Sequence, residues 1–171
     1  MASVIRGNDN FDTAAAGKVL QVVSVDYGDR YFTTSSSMTA SPLTATITPT
    51  SSNSKILVSV SALMASGSGT VSMFWQVRRG STDVVAPNTS QSLGSRIESF
   101  MVYPNGDNNV TRTNTYTILD SPSSSSAVTY TLYVKGQSGG AAILNGSYNN
   151  LNNSAYGHMA SSTITLMEIG Q

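Results

Sequence analysis

The sequence predicts an all-β fold: an antiparallel two-sheet jelly-roll sandwich of about ten strands over residues 18–171, preceded by an irregular N-terminal arm over residues 1–17. Three observations predict it. Apolar residues recur at every second position in short runs, most clearly Ile56, Val58, Val60 and Ala62, which is the period of a half-buried strand. Turn-forming residues interrupt these runs about every 8–16 residues, the punctuation of an all-β domain. No stretch carries the 3.6-residue period of an amphipathic helix. Half-buried strands need a second sheet over their apolar face, so a sandwich or barrel follows. An up-and-down barrel calls for more uniform hairpins and an immunoglobulin-type sandwich for fewer strands, which leaves the jelly roll.

The arm holds Gly7, Asn8, Asp9, Asn10 and Asp12, then Ala14-Ala15-Ala16-Gly17. Asp12 or Thr13 suits a helix cap, but Gly17 would end such a helix at once. From Lys18 the pattern is β. Residues 18–25 are Val-rich and stop at Tyr27-Gly28-Asp29, and 30–34 form a second strand. A Ser-rich loop runs to Pro42, Thr44–Thr48 alternates, and Ser51-Ser52-Asn53-Ser54 turns into the long strand 55–64. Gly67-Ser68-Gly69 reads as a hairpin-like reversal into 70–79, where Val71, Met73, Trp75 and Val77 share a face. A short strand is expected at Val84-Val85 and another at 96–102. Strands 113–119 and 128–135 follow, the second with Val128, Tyr130, Leu132 and Val134 on one face. Ala141–Leu144 precedes Asn145-Gly146, a type I′ hairpin signal, and the last strand is 161–169.

Composition narrows the function. Charged residues make up 11% of the 171, with nine basic against nine acidic, where about 25% is usual. Polarity comes from 29 Ser, 19 Thr and 13 Asn. A nucleic-acid partner is not expected, because no basic surplus exists to displace counterions. Membrane insertion is not expected, since the apolar runs are far too short. Disorder is not expected with eight Tyr, four Phe and one Trp and no net charge. Zero Cys removes disulfides and thiol chemistry. Met1–Gly7 lacks an apolar core, so no secretory signal is expected.

No catalytic, cofactor or metal site is expected. His158 is the single histidine and has no ligand partners close in sequence. No Ser sits in a Gly-x-Ser-x-Gly elbow, and Gly67-Ser68-Gly69 is better read as a turn. The nine acids, among them Asp26, Asp83, Asp120 and Glu168, are scattered, and nothing picks out a glycosidase pair. Gly106-Asp107-Asn108-Asn109 offers oxygens but lacks the spaced acids of a calcium loop, and reads as an exposed turn. The doublet Arg78-Arg79 ends a strand, suited either to solvent or to a carboxylate on a partner chain. Four Asn-x-Ser/Thr matches are chance products of this composition.

Several strands are apolar on both faces. Leu57 and Leu63 oppose the Ile56–Ala62 row, Phe74 opposes Trp75, and Met167 and Ile169 oppose Ile164 and Leu166. One sandwich needs one buried face per strand. The second is covered by the chain's own loops or by another copy, and near-zero net charge permits copies to meet. A homotrimer is expected, with Phe74, Met167 and Ile169 as candidate interface residues. Ile5, Arg6 and Phe11 are the candidate anchors of the arm. Asn88, Tyr103, Asn108, Tyr148 and Tyr156 mark exposed loops within 87–95, 103–112 and 146–158, where Asn, Tyr and Ser could contact a host surface glycan.

Three stretches together resemble a family. Arg6–Thr13 running into Gly17–Ser24, then Ile47-Thr48-Pro49-Thr50-Ser51-Ser52-Asn53-Ser54-Lys55-Ile56-Leu57-Val58, and finally Ser162–Ile169 are similar in order and spacing to small β-rich virion structural proteins of tailed bacteriophages. The interval 80–160 is individual. These are framework motifs, so the resemblance implies a trimeric β domain on the virion surface, made in the host cytoplasm, with other capsid or tail proteins as partners. It implies no active site. It does not separate a capsid decoration or cement protein from a tail-fibre or receptor-binding protein. The short chain, with no shaft, favours decoration. A hydrolase is the reading of another class, and no constellation supports it.

Overall fold

A computed structural model of the protein describes residues 17–67, 71–85, 92, 94–102, 108–153, 155 and 157–171. The arm residues Ile5, Arg6 and Phe11 fall outside it, as do Asn88, Tyr103 and Tyr156. Among these residues eleven strands are formed: β1 (Val19–Tyr27), β2 (Tyr31–Thr33), β3 (Thr39–Ile47), β4 (Lys55–Ser66), β5 (Met73–Arg79), β6 (Thr82–Asp83), β7 (Phe100–Val102), β8 (Arg112–Asp120), β9 (Val128–Gly136), β10 (Ala142–Leu144) and β11 (Ser162–Ile169). A single 3₁₀ turn, Gln137–Gly139, is the only helical element among the described residues.

The strands make two antiparallel sheets. Sheet A holds β1, β11, β4, β10, β2 and β8; sheet B holds β3, β9, β5, β6 and β7. Some strands lie end to end. β10 and β11 both pair with the same edge of β4, and β1 and β2 flank them in turn. β6 and β7 share one edge of β5. Counted as ribbons in chain order, sheet A then runs 1-8-3-6 and sheet B runs 2-7-4-5. First pairs with eighth, second with seventh, third with sixth and fourth with fifth. The chain is one long antiparallel hairpin rolled into a sandwich, which is the jelly roll the sequence predicts.

Alternation sets the core. Ile56, Val58, Val60, Ala62 and Met64 of β4 face Leu43, Ala45 and Ile47 of β3, Met73, Trp75 and Val77 of β5, and Tyr130, Leu132 and Val134 of β9 within one hydrophobic cluster. Trp75, Phe100 and Tyr116 stack in series with ring centroids 4.6 Å apart at each step, joining sheet B to sheet A. Arg79 of β5 reaches across to Asp120 of β8 at 2.7 Å, and the buried Tyr130 hydroxyl donates to the same carboxylate oxygen.

Four local expectations are corrected. The strand expected to begin at Thr44 begins at Thr39 and carries Pro42 within it. β3 is an edge strand, and its pairing with β9 slips between Ala40 and Thr44. An edge and a bulge are where a residue without an N–H is tolerated. Gly67 does not start a hairpin, because β4 and β5 belong to different sheets. The short strand after β5 is Thr82–Asp83, ahead of Val84-Val85. Asn145-Gly146 is not a hairpin turn, since β10 and β11 do not pair with each other.

That last site is a break with a purpose. After Leu144 the chain leaves the sheet and returns at Ser162. Leu63 of β4 faces the gap, yet both its backbone groups are bonded: Asn145 N–H donates to its carbonyl at 2.9 Å and the Ser162 hydroxyl accepts from its N–H at 3.1 Å. Asn145 is fully buried with φ of 62°, a conformation Asn adopts more readily than most residues. Its amide donates to the carbonyls of Tyr27 (2.6 Å) and Asp29 (3.0 Å), and its oxygen accepts from the Ser162 hydroxyl. One side chain thus closes the gap in two neighbouring ribbons.

Candidate functional site

The two faces turned away from the core differ in chemistry. On sheet B, Phe74 is half-buried, with the Lys135 ammonium 5.3 Å from its ring centroid. The Arg78 guanidinium lies 4.5 Å from the Tyr133 ring centroid, and Thr44–Thr131 and Thr46–Thr129 form hydroxyl pairs at 2.8 and 2.7 Å. Cations cover the aromatic rings on this face.

On sheet A the registers build continuous rows across four strands. Val22 of β1 faces Met167 of β11, Met167 faces Leu57 of β4, and Leu57 faces Leu119 of β8. Val19 and Ile169 pair at the adjoining end. Val22 and Leu119 are 55% and 47% exposed, high for residues on a formed sheet. The next row inward is all hydroxyl: Ser24, Thr165, Ser59 and Thr117. Ser24 bonds Thr165 at 3.0 Å and Ser59 bonds Thr117 at 3.1 Å. In the third row Thr163 donates to Asp26 at 2.7 Å. Met167 and Ile169 are therefore in one patch, and Phe74 stands on the opposite side of the molecule from them.

The far end of sheet A is covered by the chain itself. Ala65, Ala141 and Ile143 form a small second cluster under Tyr148. The Arg30 guanidinium holds this lid by donating to the carbonyls of Ser147 and Tyr148 at 3.2 Å. Any side chain at Gly67 would strike the Tyr148 ring. The loop reading thus accounts for the second apolar face at this end, where Tyr148 and Asn108 also meet: Tyr148 N–H donates to the Asn108 carbonyl at 3.0 Å. Phe32, 44% exposed, stands beside them beneath Arg30.

Four acids, one tyrosine and the histidine are engaged in structure. Glu168 is fully buried at the inner face of β11. One oxygen accepts from the Thr50 N–H and hydroxyl, both at 2.7 Å, and the other from the Gln21 amide at 2.6 Å. Burial alone would raise its pKa, but the hydrogen bonds from Gln21, Thr50 and Ser54 outweigh burial and hold it at about 2. Asp83 accepts from Gln76, and Asp120 is taken up by Arg79 and Tyr130. Burial, with the hydrogen bond to Asp120 second, pushes the Tyr130 hydroxyl far above its ordinary value. His158 Nε2 shares a 2.8 Å hydrogen bond with the Thr111 hydroxyl. No group of three or more His, Cys, Asp or Glu residues placed to hold a metal ion occurs among the described residues. No helix there is long and apolar enough to cross a membrane.

Sequence reasoning placed Met167 and Ile169 on the outer face but missed Val22 and Leu119. The alternation in residues 18–25 shows Val22 opposing Val23, and alternation in 113–119 opposes Leu119 to Ile118; only the register puts both in one row. These features define a class, a jelly-roll domain whose distinctive surface is a weakly charged sheet face. Compared with known proteins, the chain matches no protein-family model and no curated sequence.

Proposed function

We propose that the chain is a bacteriophage virion structural protein, a homotrimeric β domain displayed on the particle surface as a capsid decoration or cement protein. The observation that carries the reading is the meeting of the three stretches that bear the family resemblance. Gln21 from the first, Thr50 and Ser54 from the second and Glu168 from the third bond one another around a single buried carboxylate. Residues that act as one unit in the fold are what a shared framework would retain, so the resemblance is supported as one of framework. A body in which Asp26, Asp83, Asp120 and Glu168 serve structural bonds is consistent with a mechanical task.

The arm 1–17 serves in this reading to anchor the domain to capsid or tail proteins. Gly17 N–H bonds the Gly170 carbonyl at 2.7 Å, which ties the first described residue to the end of β11. A second reading, a tail-fibre or receptor-binding protein contacting host glycan, is favoured by the exposed Phe32 ring beside Tyr148, whose aromatic surface suits sugar contact.

Quantitative mass spectrometry of purified particles separates the two. Hundreds of copies per particle are expected for decoration; a few to tens would transfer the protein to the tail. Absence from purified particles would sink the virion reading. Deleting residues 1–17 is expected to abolish attachment while leaving the domain folded.

A further inference from the structure

We infer that the outer face of sheet A, centred on the row Val22–Met167–Leu57–Leu119, is the surface on which a second copy of this chain docks. This deepens the homo-oligomeric part of the reading above and rests on it.

Four observations point to the surface and its occupant. First, none of the four row residues belongs to either hydrophobic cluster of the described residues, whereas Ile143 and Ala65 at the other end of the same sheet are covered by Tyr148. Second, the polar groups beside the row are already paired. Ser24 with Thr165, Ser59 with Thr117 and Thr163 with Asp26 satisfy one another within the face. Drying such a face strands few donors or acceptors, so covering it costs less than covering free hydroxyls.

Third, charge chooses the occupant. Across the three rows the only acidic or basic side chain is Asp26, hydrogen-bonded in place, and Lys55 stands beside Ile169 at the adjoining end. A strongly charged partner would find only one acid and one base, at opposite margins of the face. A chain with nine acids and nine bases, presenting the same apolar row, matches a second copy of itself, and three copies can turn such rows toward one common axis. Fourth, the area is of the right order. Four strands at about 4.8 Å spacing and about eight residues at roughly 3.4 Å rise give about 500 Å² in plan. Pleating and side chains raise the accessible area above that figure, toward the ~800 Å² per partner of a standard interface. Sheet B lacks this match, because Lys135 and Arg78 lie over its rings.

Two sets of variants test it. Met167→Glu or Leu57→Glu places a carboxylate in the row at a position pointing away from the core. Light scattering at micromolar concentration is expected to give the oligomer mass for wild type and for Phe74→Ser, and a mass near the monomer for either Glu variant. In this cysteine-free chain, Thr165→Cys is expected to give covalent dimers on oxidation, and Thr131→Cys on sheet B is not. The cysteine pair keeps the test alive if a Glu variant fails to fold. An unchanged mass for folded Glu variants, or cross-linking at Thr131→Cys alone, would overturn the surface while leaving the oligomer. A monomeric wild type would overturn it too; if deletion of residues 1–16 then raised binding of an apolar dye, the chain's own amino-terminal segment would be the occupant. The copy number per virion is read independently, so each idea can fail without the other.

Discussion

Glu168 shows how one residue couples distant parts of the chain. It is an ionised group within a hydrophobic sandwich, and its environment makes the charged form the stable one. The sign of the pH effect follows from a pKa held at about 2 against an ordinary 4.5. The depressed value stabilises the fold above pH 4.5, and this contribution is lost as pH falls toward 2. Glu168→Gln should therefore unfold more easily at neutral pH, by about 2 kcal/mol, and should lose much of the decline between pH 4.5 and 2 seen in wild type. Urea titration at several pH values measures both. Equal pH profiles for the two proteins would refute the assignment. The sequence shows Glu168 as one acid among nine; its burial is foreshadowed by the alternation of Ile164, Leu166 and Glu168 on one face. The donors that satisfy it lie more than 100 residues away, and no local pattern announces them.

At the level of elements, the interrupted ribbons are the distinctive feature. β10 and β11 form one ribbon broken by a long excursion, and β1 with β2 form its broken neighbour. Asn145 bridges both. Asn145→Ala would remove three side-chain hydrogen bonds and leave an alanine in left-handed backbone. It is expected to cost about 3 kcal/mol, read as a lower denaturation midpoint, and to loosen the 146–161 excursion, read as faster amide exchange there. Unchanged exchange would argue against its bridging role. The strands themselves are legible because alternation is local: Ile56 to Met64 announce β4, and Val128 to Val134 announce β9. Crossings are less legible. A glycine-rich turn after β4 suits a hairpin and an arch between sheets equally well, because both need only a reversal. Asn-Gly at 145 likewise marks left-handed backbone, which a hairpin and a strand break both use. Pro42 argues against a strand until β3 is known to be an edge.

Across the whole molecule, pairing of first ribbon with eighth makes the sandwich a closed circuit. β11 sits in the middle of sheet A, hydrogen-bonded to β1 on one side and β4 on the other. Removing Ser162–Gln171 would expose both neighbours along their length and withdraw Ile164, Leu166 and Glu168 from the core. Such a truncation is expected to be insoluble, whereas deletion of 1–17 is not; soluble yield and circular dichroism decide. The jelly-roll class is legible from strand count and spacing, but the order of the ribbons is not, since it depends on contacts between residues as far apart as Val22 and Met167.

That arrangement also governs birth on the ribosome. β1 emerges well over 100 residues ahead of β11, its only sheet partner among the described residues. At about 5–20 residues per second, β1 waits many seconds with both edges open. During that interval many nascent chains on one messenger expose the same unpaired Val-rich edge to each other. Low charge, which leaves such edges without mutual repulsion, then becomes a hazard for synthesis, and slower initiation, which spaces the nascent chains along the messenger, should favour the folded product.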